Sequence, residues 1–339
     1  MQRCFDLAQL AGKNVKSNPQ VGAVIVYNDK IIGEGYHKVF GDHHAEINAF
    51  NSVKDKDKHL LKDSTLYISL EPCCISRKTP PCTDAIIQSG IKEVVYSVED
   101  PNADIAGRSE KLLAEHNINV TKGILSRKGA QLILPFKANL KVRPYVILKF
   151  AQSSDAYIGK RGKRVIISNE YSQILNHKWR SEVDGILIGY QTALADDPQL
   201  NNRLWTGDTP LRIVLDPKDE LSDNIKLRAD DLSTLFVNDE VKKTLTNAHK
   251  ELINIAPTEN FISDLLEMLY KKSVYSLIVE GGAKTIRKFI EANLWDEARV
   301  ITSNTPLRSG IKAPYITGIP ISKYSILNDE VTHVLNKQL

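Results

Sequence analysis

The sequence predicts two α/β domains in tandem. Three observations lead there. The chain has 339 residues, more than one typical domain, and each half is long enough for its own core. Short apolar runs of strand character alternate with stretches of helical spacing. After Arg143-Pro144 a second strand–helix series begins, so the boundary is placed near Lys141, giving domains 1–141 and 142–339.

In the first domain, Cys4, Phe5, Leu7, Ala8, Leu10 and Ala11 recur at helical spacing, and the helix should end near Gly12. Asn18-Pro19 reads as a turn. Val21–Tyr27 and Lys30–Gly35 are strand-like runs joined by Asn28-Asp29, a hairpin signal. A helix is expected from His44 to Val53, followed by a solvated charged loop from Lys54 to Lys62. Thr65–Leu70 is a strand, and Thr79-Pro80-Pro81 opens a helix with Cys82 in its first turn. Glu93–Val98 is a further strand and Gly107–His116 a further helix.

In the second domain, Tyr145–Phe150, Gly185–Gly189, Leu211–Leu215 and Tyr275–Val279 are buried-strand candidates. Asn169–Val183 and Ala283–Leu294 read as helices. Ligands of such sheets bind at the ends of their elements.

Composition narrows the function classes. Apolar residues are 42% and charged residues 25%, the values of an ordinary globular protein. The net charge of +4 is spread without a basic tract, which argues against nucleic acid as a partner. No apolar run approaches a membrane span and no secretory pattern opens the chain. Four cysteines, two of them wanted as thiolates, argue for a reducing compartment, and the cytoplasm is the expected location.

The chemistry concentrates in one constellation. His44, Cys73 and Cys82 offer one imidazole and two thiolates, a soft set that suits zinc and leaves a fourth position for water. Zinc lowers the pKa of such a water to roughly 7. Glu46, two residues beyond His44, is not needed as a ligand and is placed to move a proton to a leaving amine. His-x-Glu followed by Pro-Cys…Cys is the pattern of zinc deaminases acting on nucleobases. A zinc that merely staples a loop would leave Glu46 unexplained, although Cys74 offers a fourth ligand for that reading. Cys74 and Cys4 otherwise read as small buried residues. Glu71 is either an orienting group behind the metal or a carboxylate binding backbone at a helix start.

Eight residues separate Cys73 from Cys82, where nucleic-acid deaminases carry Pro-Cys-x-x-Cys. The insert holds Arg77 and Lys78, which suits an anionic small substrate better than a flipped base.

These residues resemble the bifunctional riboflavin-biosynthesis family that joins a pyrimidine deaminase to a pyrimidine reductase. The motifs are Asn18-Pro19-Gln20-Val21-Gly22, Gly35-Tyr36-His37, His44-Ala45-Glu46, Glu71-Pro72-Cys73 and Lys78-Thr79-Pro80-Pro81-Cys82, with Asp100-Pro101-Asn102 and Ala106-Gly107-Arg108 beyond them. In the second half, Gly189–Pro198, Val279-Glu280-Gly281-Gly282 and Leu294-Trp295-Asp296-Glu297 are similar to the reductase.

The resemblance implies a cytidine-deaminase-like three-layer α/β/α domain followed by a dihydrofolate-reductase-like α/β domain. It implies zinc-dependent deamination of 2,5-diamino-6-ribosylamino-4(3H)-pyrimidinone 5′-phosphate, then NADPH-dependent reduction of ribosyl to ribityl, in a homo-oligomer. Zinc would be held by His44, Cys73 and Cys82, with Glu46 as proton shuttle and Asn18, His37 and Lys78 as substrate contacts. In the reductase, Lys149, Arg180, Arg203 and Glu280 would meet substrate. Thr192, Asp196, Gly281, Gly282 and Ala283 would meet NADPH, Asp196 lying near the ribose and nicotinamide. The residues agree: an amide such as Asn18 reads a pyrimidine edge, and Lys78 neutralises a phosphate. Small residues at a helix start admit a phosphate to backbone N–H groups, although a tight strand-to-helix turn has the same sequence. Arg180 and Arg203 have the paired donors that hold a phosphate, although isolated arginines read as surface charges.

Three departures from the family stand out. Ile75 occupies a position where many relatives carry histidine. Ala156 stands where Ser-x-Asp-Gly has its glycine, so a positive φ there would cost energy. Ile166 replaces a tryptophan, and the segment Ile158–Val165 is short and basic. Alternatives are thus a deaminase with an impaired reductase, a nucleic-acid base deaminase, or a zinc-stapled binding protein without turnover.

Overall fold

The computed structural model describes residues 1–76, 80–162, 165–240, 242 and 247–337. They divide into two compact units, Met1–Lys141 and Val142–Leu339.

The first unit runs α1 (Gln2–Gln9), β1 (Gly22–Tyr27), β2 (Lys30–Tyr36), α2 (Ala45–Ser52), β3 (Thr65–Leu70), α3 (Cys82–Ser89), β4 (Glu93–Val98), α4 (Arg108–Glu115), β5 (Asn119–Lys122), α5 (Ser126–Leu132) and α6 (Leu134–Leu140). Its sheet has the order β2-β1-β3-β4-β5; β1 is antiparallel to both neighbours and β3, β4 and β5 are parallel. Asn28 and Asp29 both take positive φ, 45° and 59°, as a tight hairpin requires. Alternation along the strands builds the layers. Ile25, Leu66, Ile68, Val94 and Tyr96 face Ala45, Ala49, Ile86 and Leu113 of α2, α3 and α4. Val24, Val26 and Tyr67 face Cys4 and Leu7 of α1 on the other side. Gly33 and Gly35 share one face of β2, and a Cβ on Gly35 would overlap the backbone of Ala49 and Asn48. Their missing side chains let α2 lie close on the sheet, which sets its N-terminal residues in place.

The charged run at 54–62 was expected as loop. It forms a 3₁₀ helix, Asp55–Asp63, that buries no side chain, so it is solvated as expected but wound.

The second unit runs β6 (Tyr145–Gln152), β7 (Tyr157–Gly159), α7 (Glu170–Ser181), β8 (Gly185–Gly189), α8 (Tyr190–Asp196), β9 (Leu211–Leu215), α9 (Lys226–Ala229), β10 (Thr234–Asn238), β11 (Lys250–Asn254), α10 (Phe261–Lys271), β12 (Ser276–Val279), α11 (Ala283–Glu291), β13 (Glu297–Ser303), β14 (Ile311–Lys312), β15 (Ile319–Ile326) and β16 (Asp329–Leu335). A nine-stranded sheet has the order β11-β10-β9-β8-β12-β6-β13-β16-β15. Its first seven strands are parallel, and β16 and β15 close one edge antiparallel. The parallel strands are buried on both faces, hence their continuous apolar runs. One core joins Val146, Leu148, Leu187, Ile213 and Val279 to Leu265, Leu269, Ile286 and Phe289 of α10 and α11. Asn169 caps α7 by accepting a hydrogen bond from the Ser172 N–H at 3.0 Å.

Candidate active sites

At the N-terminus of α2, His44 is the capping residue and Glu46 falls in the first turn. The chain leaving β3 carries Cys73, and Cys82 is the first residue of α3. The three ligand atoms converge: all lie within 4.8 Å of one another, the one such group among the described residues. His44 Nδ1 is 3.2 Å from Cys82 Sγ and 3.5 Å from Cys73 Sγ, and the Cys82 N–H donates to Cys73 Sγ at 3.3 Å. One nitrogen and two sulfurs at this separation fit a tetrahedral zinc with one position open. Cys73 is held as a thiolate, its pKa lowered to about 4, chiefly because the Cys82 thiol donates to it, with His44 adding to the effect.

Glu46 is buried beside this group, and burial, reinforced by the charge on Cys73, raises its pKa. A cavity of about 370 Å³ opens onto His44, Glu46 and Cys73. Asn18 and His37 also line it. The Asn18 amide donates to His37 Nε2 at 3.1 Å, because His37 Nδ1–H donates to the His43 carbonyl at 3.1 Å and leaves Nε2 as acceptor. Burial lowers the His37 pKa and favours that neutral ring. Lys78 lies outside the described residues.

Of the two readings of Glu71, backbone binding is what the geometry shows. Its buried carboxylate accepts from the N–H groups of Asp100, Gly107 and Ser109 at 3.1 to 3.2 Å. This ties the loop after β4 and the start of α4 to the end of β3. Cys4 donates its thiol to the Tyr67 carbonyl at 3.4 Å, and burial raises its pKa to about 11. The cavity walls also include Asp100, Asn102 and Phe136. The sequence flagged Asp100 and Asn102 only within a motif; Phe136, on α6, carried no signal.

In the second unit, Glu280 follows β12 and stands against Arg180 of α7 and Lys149 of β6. Arg180 donates two hydrogen bonds to the Glu280 carboxylate, at 2.9 and 2.8 Å, and Lys149 Nζ is 3.7 Å from it. Burial alone would raise the Glu280 pKa; Arg180 and then Lys149 overcome it and hold the carboxyl down at about 2. Burial lowers the pKa of Lys149. The forked donors expected to hold a phosphate are therefore engaged at Arg180, which also donates to the Asn201 carbonyl at 3.2 Å. Arg203 is exposed and donates to Asn201 Oδ1 at 2.9 Å.

Thr192 and Asp196 lie on α8, and Gly281 and the capping residue Gly282 lead into α11, which begins at Ala283. The Gly282 N–H donates to Thr192 Oγ1 at 2.8 Å, and a Cβ on Gly282 would stand 2.9 Å from that oxygen. Thr192 and Gly282 thus meet beyond the C-terminal ends of the adjacent strands β8 and β12, where sheets of this kind bind ligands.

The fold and the two sites define a zinc-dependent pyrimidine deaminase joined to a pyrimidine reductase. Residues 1–98 match the cytidine and deoxycytidylate deaminase zinc-binding region, and residues 144–328 match the RibD C-terminal domain. The riboflavin biosynthesis protein RibD of Aquifex aeolicus is 32% identical over 92% of this chain and 88% of its own length. That of Escherichia coli is 31% identical over 88% and 84%. The crystal structure of a diaminohydroxyphosphoribosylaminopyrimidine deaminase/5-amino-6-(5-phosphoribosylamino)uracil reductase from Thermotoga maritima superposes with a TM-score of 0.86 at 30% identity, covering 99% of this chain and 97% of that one. The chain belongs to the RibD family of riboflavin biosynthesis, bifunctional enzymes that use zinc and NADPH. No helix among the described residues is long and apolar enough to cross a membrane.

Proposed function

We propose that this chain deaminates 2,5-diamino-6-ribosylamino-4(3H)-pyrimidinone 5′-phosphate and then reduces the ribosyl group of the product to ribityl. The observation that carries the reading is the convergence of one imidazole and two thiols beside the buried Glu46 at the mouth of a cavity. His44, Cys73 and Cys82 hold zinc, which when bound supplies a water that ionises near neutral pH. Glu46 would take one proton as the water oxygen bonds to the ring carbon and pass it to the adjoining ring nitrogen, then take the remaining hydroxyl proton and give it to the amine nitrogen. The C–N bond then breaks and ammonia leaves. The raised pKa of Glu46 suits a group that must hold a proton between these two transfers. Asn18 reads the pyrimidine edge, its amide oriented by the neutral His37. Lys78 meets the substrate phosphate.

In the second unit we assign NADPH to Thr192, Asp196 and the start of α11 at Gly281, Gly282 and Ala283, a strand-to-helix turn of small residues whose helix N-terminus favours an anion. NADPH supplies the hydride when bound. Glu280, kept ionised, accepts from a ribosyl hydroxyl, and Lys149 stands behind it. Arg180 holds Glu280, which leaves Arg203 to meet the substrate phosphate. We place the enzyme in the cytoplasm, in keeping with four unpaired cysteines. A homo-oligomer is favoured by the uncovered edge strand β15.

Mass spectrometry of the products after incubating the zinc-replete protein with the diaminopyrimidinone phosphate and NADPH tests the reading. A deaminated and reduced product is expected. A deaminated product alone would remove the reductase assignment, and unchanged substrate would overturn both.

A further inference from the structure

His177 lies one helical turn before Arg180 on α7 and is almost fully buried, at 4% exposure. Its Nδ1 accepts a hydrogen bond from the main-chain N–H of Arg203 at 3.2 Å. An accepting ring nitrogen carries no proton, so the proton is on Nε2 and the ring is neutral. The surroundings enforce that state: burial first, then the nearby Arg180 and Arg203, lower the His177 pKa to about 4.

The same helix makes a second contact with the loop through Arg180 and the Asn201 carbonyl at 3.2 Å. Within the loop, the Arg203 guanidinium donates to Asn201 Oδ1 at 2.9 Å. The Asn202 N–H donates to Thr209 Oγ1 at 3.2 Å, and the Asn202 amide to the Gly207 carbonyl at 3.0 Å. The loop is thus internally braced and pinned to α7 at residues 201 and 203. Arg203 itself is exposed, and an exposed arginine is otherwise free among many rotamers.

We infer that His177 is a positioning residue of the reductase: its unprotonated Nδ1 clamps the main chain at Arg203 and so sets where the Arg203 guanidinium stands for an anionic substrate group. This rests on the proposed assignment of Arg203 to the substrate phosphate. His177 need not touch the reacting atoms. It acts through a backbone hydrogen bond that an acceptor at the Nδ1 position sustains and an acceptor at the Nε2 position does not.

Two substitutions separate those acceptors. His177→Asn puts an amide oxygen near Nδ1, and His177→Gln reaches toward Nε2. The assay is steady-state NADPH oxidation by the full-length, zinc-loaded protein with 5-amino-6-(5-phosphoribosylamino)uracil, beside thermal unfolding. His177→Gln is expected to raise KM for the pyrimidine about tenfold, the worth of one buried hydrogen bond, with the loss falling on KM rather than kcat. His177→Asn should recover most of that loss. Combined with Arg203→Ala, His177→Gln should add little, because both act on one contact. If Arg203→Ala raises KM and His177→Gln does not, the clamp is overturned while Arg203 keeps its role. If Arg203→Ala leaves KM unchanged, the Arg203 assignment falls and takes the clamp with it. Equal losses in His177→Asn and His177→Gln, tracking a lower unfolding temperature in both, would reduce His177 to a packing residue and overturn the inference.

Discussion

Glu280→Gln keeps the shape of a nearly buried side chain and removes its charge. In the native protein the carboxylate faces Arg180 through two hydrogen bonds at 2.9 and 2.8 Å and Lys149 at 3.7 Å, with side-chain exposures of 9% for Glu280, 14% for Arg180 and 9% for Lys149. Removing one partner of a buried ion pair leaves uncompensated charge and costs roughly 3–5 kcal/mol. Lys149 relieves part of this by shedding its proton, since burial already lowers its pKa. We therefore expect the low end, about 3 kcal/mol. In a unit of roughly 200 residues that lowers the unfolding temperature by roughly 6–12 °C. The assay is built into the chain, because all three tryptophans, Trp179, Trp205 and Trp295, lie in the second unit. Tryptophan fluorescence during thermal unfolding therefore reports this unit alone. A fall under about 2 °C would refute the reasoning, because it would mean that the two cations are already solvated without Glu280.

Acid should act on the same unit. Glu280 and Glu297 are each held at about 2 in the folded state, against 4.5 for the free side chain. For Glu297 burial opposes the shift, and Arg299 with His333 overcomes it. A depressed carboxyl stabilises fully above pH 4.5 and loses that contribution as pH falls towards 2. Tryptophan-detected stability should begin to fall below about pH 6.5, where His177 is held neutral in the folded unit, and keep falling through the carboxylate window; a flat profile down to pH 2 would contradict the pairing. Ala156→Gly should stabilise the protein by about 1 kcal/mol, since a left-handed alanine costs roughly 1–2 kcal/mol and glycine gives back part in the unfolded chain. A lower unfolding temperature in that variant would show that the turn carries no strain. Glu46→Gln should retain one zinc per chain by metal analysis while ammonia release falls at least about 100-fold. Undiminished release would remove Glu46 from the proton path.

The zinc group was legible because its ligands are rare residue types at motif spacing, each beside an end of an element that hydrophobic periodicity also marks. Helix α2 and strand β3 were read within a residue, and α3 begins at Cys82, later than the Thr79-Pro80-Pro81 start expected, with Pro81 as its cap; His44, Cys73 and Cys82 could still be placed near element ends. The far wall of that cavity was not legible. Phe136 sits on α6, where Pro135 and Lys137 interrupt any apolar pattern, and only the fold brings it to the site. The ion pair of Arg180 with Glu280 spans 100 residues, and nothing local at either position announces it. Read singly, Arg180 is a surface charge, and the resemblance alone makes it a phosphate fork. The antiparallel edge escaped notice for a related reason: β15 is exposed at nearly every position, so it lacks the buried face that makes a strand readable.

The departures from the family pattern bear differently on the reductase now that their surroundings are known. Ala156 does adopt positive φ, 61°, yet the turn is intact. Its N–H donates to the Ser153 carbonyl at 3.0 Å, and the Asp155 carboxylate accepts from the N–H groups of Leu307 and Arg308 at 2.9 and 2.7 Å. The strain is therefore a local cost to stability, carried by neighbours that over-determine the turn. It does not reach Lys149, Arg180 or Glu280, whose pairing is complete. Ile75 lines the deaminase cavity, where it offers an apolar wall, and is not one of the metal-binding group. Ile166 is 68% exposed, so a flat ring missing there removes a surface for a ligand to lie against and no support from the core. The departures thus leave the pairing of Lys149, Arg180 and Glu280 in place, which favours a two-step enzyme over a deaminase carrying a defunct second half.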